Sequence, residues 1–163
     1  MLALRDLTKL DMATTVVPFN PRRAQVESRG ANWVVVDGDK VLAFSASGEA
    51  DARRAMEIIR YYGMNKQVTC DKPWLWLQYY LTDNSAPTKA PIPQEDSVPI
   101  AAERLRVVKR QGYHYVYSGR ELLLECPSQS AANKAIDIIK LCGFTRKCYA
   151  GNREFPAMVY FAK

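Results

Sequence analysis

The chain has 163 residues and a net charge of +6, with 48% of its residues hydrophobic and 25% charged. That is the balance of a globular chain long enough for one ordinary domain or two small ones, and it excludes fibrous and disordered classes. No apolar run approaches the roughly 18–20 residues of a membrane span. Four cysteines in no C-x-x-C pair, with His114 the single histidine, exclude a zinc site of ordinary spacing.

At the start, Arg5, Asp6, Lys9 and Asp11 break up any apolar core of a secretory signal. Leu2, Leu7 and Leu10 fall loosely on one side, so a short amphipathic helix and a frayed terminus are both open readings. Residues 1–20 are read as a tail and 21–82 as a first folded unit. Three strands are expected before its helix. The phrase Asp37-Gly38-Asp39-Lys40 predicts a tight hairpin with Asp37 opposite Lys40. In that register Trp33 and Val35 share a face with Leu42 and Phe44, and this face is expected to meet the helix.

The helix is predicted over 49–62, with Ser47 as N-cap and Glu49 and Asp51 in the first turn. Ala52, Ala55, Met56, Ile59 and Tyr62 recur at three- and four-residue steps and form one apolar stripe. Gly63 and Met64 supply the left-handed stop and the apolar residue after it. A short strand from Gln67 to Cys70 follows. In a longer one Leu75, Leu77, Tyr79 and Leu81 alternate. The unit reads βββαββ.

Residues 83–97, rich in Pro, Asp and Ser, read as an extended linker through Pro87, Pro91 and Pro93. Beyond it the pattern returns in residues 98–163. Shifted by 80 residues, without a gap from about residue 24 to 82, Ala52, Ala55, Ile58, Ile59 and Gly63 meet Ala132, Ala135, Ile138, Ile139 and Gly143. The helix-facing side of the second unit is then Tyr113, Tyr115, Leu122 and Leu124. The fold class is therefore α+β, a tandem βββαββ repeat. Two antiparallel sheets, each with one helix, are expected to be related by a pseudo-two-fold axis and packed back to back.

The reverse faces carry the functional argument. In unit 1 they hold Val34, Val36, Val41, Ala43, Trp74, Trp76 and Tyr80. In unit 2 they hold His114, Val116, Glu121, Leu123, Pro156, Met158 and Tyr160. A free sheet face should alternate to polar residues. These do not, so each is either covered by the other copy or an interaction surface.

The phrase Trp33-Val34-Val35-Val36-Asp37-Gly38, followed by Ala52-Arg53-Arg54-Ala55 and, after the helix, Tyr62-Gly63-Met64-Asn65, resembles an uncharacterised repeat module of assorted bacterial proteins, often preceded by a phrase like Phe19-Asn20-Pro21. The resemblance spans about residues 19–82. In unit 2 it extends only to the helix and Cys148, and Ser118-Gly119 replaces the Asp-Gly turn. It supports the repeat and implies no activity.

Catalysis finds no apparatus. A histidine-based triad can only be built at His114, which sits mid-strand between two tyrosines. Asp37 and Asp39 have a backbone reason to lie in a turn. No glycine-rich phosphate loop occurs. The expectation is a non-enzymatic protein without cofactor or metal, with reduced core cysteines and a cytoplasmic location; a Cys142–Cys148 bridge is the alternative if the chain is exported.

The first functional reading is a binding or assembly module that contacts a protein partner, or itself, through Trp74, Trp76 and Tyr80 and through the extended segments, unless the second unit covers that patch. The alternative is single-stranded nucleic acid held by stacking and charge. Its residues are Tyr117, Tyr160, Arg104, Arg106, Lys109, Arg110, Arg146, Lys147 and Arg153, and residues 98–163 carry +6 of the charge. The architecture resembles, at fold level, the duplicated sheet-plus-helix domains of PUR-type and Whirly-type single-strand binders. Carbohydrate binding through Trp74 and Trp76 is a third class.

Overall fold

The apolar stripes and glycine stops yield two helices of 14 residues, α1 (Glu49–Tyr62) and α2 (Gln129–Cys142). The computed structural model describes residues 14–163, so the amphipathic segment around Leu2, Leu7 and Leu10 lies outside the described residues. Both helices end on a left-handed glycine, Gly63 (φ 67°) and Gly143 (φ 70°). The Met64 N–H then donates to Ile59 O (3.0 Å) and the Phe144 N–H to Ile139 O (3.1 Å), closing the last turns. Ser128 caps α2 by accepting from the Ala131 N–H. The α1 cap is Gly48, and Ser47 instead donates to Asp51.

Six strands accompany each helix. Unit 1 has β1 (Thr14–Pro18), β2 (Gln25–Arg29), β3 (Asn32–Asp37), β4 (Lys40–Ser45), β5 (Lys66–Cys70) and β6 (Leu77–Leu81). Unit 2 has β7 (Asp96–Pro99), β8 (Leu105–Arg110), β9 (Tyr113–Ser118), β10 (Glu121–Cys126), β11 (Arg146–Ala150) and β12 (Met158–Ala162). They form four three-stranded antiparallel sheets: β2-β3-β4, β1-β5-β6, β8-β9-β10 and β12-β11-β7. The protein is α+β and repeats the βββαββ order, with two sheets per unit where one was expected. The extra edge strand β1 comes from the segment read as tail, and β7 straddles the boundary drawn between linker and second unit at residues 97 and 98. No helix among the described residues is long and apolar enough to cross a membrane.

The register between the units corrects the gapless offset. The helices and β5/β11 are 80 residues apart, but β2–β4 and β8–β10, like β6 and β12, are 81 apart. Unit 1 has three residues, Ala46 to Gly48, between strand and helix where unit 2 has Pro127 and Ser128. It has six residues between β5 and β6 where unit 2 has seven between β11 and β12. A one-residue slip reverses which side chains share a face.

A bulge adds to this. Asp37 pairs with Lys40 as predicted, but Val36 pairs with Val41 and Val35 with Ala43, so Leu42 is the extra residue. Leu123 takes its place in unit 2, between Leu122↔Tyr117 and Leu124↔Val116. Val35 and Ala43 therefore join Ala52, Ala55 and Ile59 of α1 in one core. Phe44, expected against the helix, is 51% exposed. In unit 2, Val116, Leu124 and Cys126 pack with α2, whereas Tyr113 and Leu122 are exposed. Tyr113, Tyr115 and Leu122 thus leave the helix face, and His114, expected outside, shares Val116's side of β9.

Each core is completed by the other unit. Leu77, Tyr79, Leu81, Val68 and Cys70 of unit 1 pack with α2 and β9–β10. Cys148, Ala150, Met158 and Tyr160 of unit 2 pack with α1 and β3–β4. The exchange is reciprocal: Tyr79 meets Phe144 (5.8 Å between ring centres) and Tyr160 meets Tyr62 (5.8 Å). A fully buried side chain of this size contributes about 1.5–3 kcal/mol, so separating the units strips several such contributions from both cores. The connecting segment is strapped along α1. The Tyr61 hydroxyl donates to Ala90 O (2.6 Å), Arg54 donates to Pro93 O (2.6 Å), and Ile92 is buried in the unit 1 core.

Candidate functional site

Strand alternation builds the most aromatic open surface. On β9, Tyr113, Tyr115 and Tyr117 point away from α2 because Val116 points toward it. Antiparallel pairing sets Arg110 beside Tyr113, Val108 beside Tyr115 and Arg106 beside Tyr117. From β10, Leu122 stands beside Tyr117 and Glu125 beside Tyr115. The Arg106 guanidinium lies 4.8 Å from the Tyr117 ring centre and that of Arg110 6.0 Å, both in range for a cation–π contact. Trp74, in the β5–β6 loop of unit 1, meets the Tyr113 ring edge-on at 6.4 Å. Tyr113 is 43% exposed, Leu122 47% and Trp74 38%. This face therefore combines flat rings, cations and apolar surface, and it crosses the unit boundary through Trp74.

The sequence-predicted residues separate. Trp74 is on this surface. Trp76 is buried in the core of unit 2, its indole donating to Lys72 O (3.1 Å). Tyr80 is fully buried; its hydroxyl donates to Leu42 O (2.6 Å), and burial pushes its phenol up to about 12. The patch Trp74, Trp76, Tyr80 is thus not one surface: two of its three rings are covered inside the molecule. Of the basic and aromatic set, Tyr117, Arg106 and Arg110 lie on the β8–β10 face. Lys109 is exposed at the edge strand, opposite His114, and Arg104 is exposed in the turn before β8.

Four others are consumed internally. Tyr160 is fully buried, Arg153 pairs with Asp96 (2.5 Å), and Lys147 donates to Leu123 O (2.5 Å). Arg146 pairs with Glu95 (2.7 Å), whose side chain is 3% exposed. Glu95 also accepts from Tyr62 and Tyr160, and Arg146 donates to Tyr62 (3.1 Å). Burial works against the Glu95 carboxylate, but the hydrogen bonds from Tyr62, Arg146 and Tyr160 outweigh it and hold its pKa below the ordinary value. Burial and the Glu95 hydrogen bond raise the Tyr62 phenol to about 12. This cluster fastens the connecting segment, α1, β11 and β12 together. Nothing in the sequence singled out Glu95, one of two adjacent carboxylates after a Pro-rich stretch, because its partners lie 33 to 65 residues away in the chain.

Asp37 has a structural task. Its carboxylate accepts from the Asn20 N–H (2.8 Å) and pairs with Arg23 (3.1 Å), and the Asn20 bond leads in lowering its pKa. At the equivalent place in unit 2, the Ser118 hydroxyl accepts from the Ala101 N–H (2.8 Å). None of the four cysteines is in a disulfide, and burial pushes the thiols of Cys126, Cys142 and Cys148 up to about 12, which keeps these three protonated and unreactive. Among the described residues no group of three or more His, Cys, Asp or Glu could hold a metal ion.

Comparison with protein-family models, with curated proteins and with solved structures finds no match.

Proposed function

We propose that this chain is a non-enzymatic binding protein and that its ligand is single-stranded nucleic acid, held on the outer face of β8-β9-β10. The observation that carries the reading is the row Tyr113, Tyr115, Tyr117 on one strand, flanked on the same face by Arg106 and Arg110. Every base has a flat face that stacks on such rings, and arginines beside them neutralise phosphates, so binding follows without reading sequence. Trp74 extends the platform toward unit 1.

The test is a labelled oligo(dT) titrated at two salt concentrations. Two phosphates neutralised by Arg106 and Arg110 give a slope of log K against log salt of about −1.4, at roughly 0.7 per contact. No shift at micromolar protein and low salt removes this reading.

Leu122 and Trp74, both exposed on the same surface, favour a second reading, a protein partner or a second copy of the chain. Tyrosine, tryptophan and arginine are what interface centres enrich. In that case light scattering or a pull-down yields a stoichiometric complex that Tyr113→Ala weakens, and the oligonucleotide does not compete for it.

A further inference from the structure

A second site lies away from that face, where the two units meet. A pocket of about 390 Å³ opens between β4, the β5–β6 loop and the residues leading into β12. Its walls are apolar: Val41, Phe44, Leu75, Trp76 and Ala157 among them. Its volume is in the range of roughly 300–1,000 Å³ typical of small-ligand sites. Phe44 and Leu75 are both more than half exposed, which is unusual for large apolar side chains unless something rests on them.

The polar lining is what identifies a ligand. Lys147 is the only charged side chain among the described residues that line the pocket. It is half-buried, donates to the bulge carbonyl of Leu123, and forms no ion pair among the described residues. Its pseudo-symmetric counterpart is Gln67, whose amide donates to the bulge carbonyl of Leu42 (3.1 Å). The Leu42 carbonyl also accepts from the Tyr80 hydroxyl (2.6 Å), whereas the residue equivalent to Tyr80 in unit 2 is Phe161, which has no donor. The lysine brings a positive charge, absent at Gln67, into a place where burial penalises it: desolvation pushes its pKa down to about 8. The ammonium meets the Leu123 carbonyl and, at 5.3 Å, the Tyr149 ring, but no carboxylate among the described residues, and a ligand anion seated in the pocket would supply that counter-charge.

We propose that this pocket binds an amphipathic carboxylate, its apolar chain between Phe44, Leu75 and Trp76 and its head group on the Lys147 ammonium. The site is independent of the β8–β10 face.

The experiment is calorimetric titration of the full-length chain with decanoate, decanol and decyltrimethylammonium. The expected result is that decanoate binds about tenfold or more tighter than decanol, the increment of a hydrogen bond to a charged group, and that decyltrimethylammonium binds more weakly than decanol. Lys147→Gln puts the residue type of Gln67 at the second bulge, so an amide still donates to the Leu123 carbonyl while the charge is gone. It is expected to bind decanoate no better than decanol, with decanol affinity unchanged. The proposal is overturned if none of the three ligands binds, if the unaltered chain fails to prefer decanoate, or if Lys147→Gln keeps the preference. Should the variant not fold, the three-ligand series on the unaltered chain decides the matter.

Discussion

At equivalent places on equivalent sheets, the two units present different outer faces. Where β9 carries Tyr113, Tyr115 and Tyr117, β3 carries Asn32, Val34 and Val36, 81 residues earlier. Where β8 offers Arg106 and Arg110, β2 offers Gln25 and Arg29. Where β10 has Leu122 and Glu125, β4 has Val41 and Phe44. The inner faces differ far less. Val35 corresponds to Val116, Ala52 to Ala132 and Ile58 to Ile138, and each is buried. Core positions answer to packing, which tolerates little change in volume or polarity. An outer face answers to whatever lies against it. Val34 and Val36 are buried, which leaves Phe44 as an exposed ring on that face of unit 1, whereas Tyr113 is open in a row with Tyr115 and Tyr117, so among the described residues the aromatic row belongs to the second unit.

The cores differ in one respect, and this gives the largest expected effect. Among the described residues, the core containing α1 holds an ion pair, Glu95–Arg146, with Tyr62 and Tyr160 upon it, and the core containing α2 holds none. Glu95→Gln is expected to cost about 3–5 kcal/mol, as when one partner of a buried pair is removed, measured by urea denaturation. Because the folded state lowers the Glu95 pKa, its contribution is present above the ordinary carboxylate value of 4.5 and fades as pH falls through the lower folded value. The stability gap between wild type and variant should therefore narrow below about pH 4.5; a constant gap down to pH 2 contradicts the assignment.

Next come the helices. Ile58→Ala and Ile138→Ala should each cost about 2–5 kcal/mol. Because each core contains strands of both units, either substitution should lower a single unfolding transition of the whole chain. Two separate transitions in calorimetry, one per unit, would break the exchanged-core description.

The outer faces are separated by smaller effects. Tyr113→Ala and Tyr117→Ala should each weaken oligonucleotide binding by about 1–3 kcal/mol, the range for a base–aromatic stack, while changing stability little. Val36→Ala on the other unit should do the reverse. Equal binding losses from both faces would erase the distinction. The smallest effect concerns the turns. Asp37→Ser copies the Ser118–Ala101 bond of unit 2 at the Asn20 N–H. It should cost about 1 kcal/mol, since one hydrogen bond is kept and the exposed side of the Arg23 pair is lost.

What could be read in advance was local. Helical period, first-turn charge and glycine stops are properties of neighbouring residues, and they placed both helices over 49–62 and its repeat. The Gly38-Asp39 turn likewise fixed the Asp37–Lys40 pairing. The internal duplication followed because a repeated local pattern is visible without coordinates.

The site was less legible. Alternation says which residues share a face but not what covers it. Trp76, Tyr80 and Tyr160 alternate like exposed rings yet are buried: Trp76 and Tyr160 enter the core of the other unit, and Tyr80 lies in the shared core against Leu42 of its own. The bulge at Leu42 turned Phe44 outward, where a regular hairpin register had turned it in, and loops that differ by one residue did the same for Tyr113, where a gapless offset had turned it in.

The sequence by itself determined the helices, the hairpin turn and the duplicated α+β order, since each is set by contacts within a few residues. Only the tertiary structure decided which sheet face is open, which unit completes which core, and that the Glu95 side chain is buried and Lys147 half-buried. Burial is a sum over segments distant in the chain, and one extra residue in a strand is enough to reverse it.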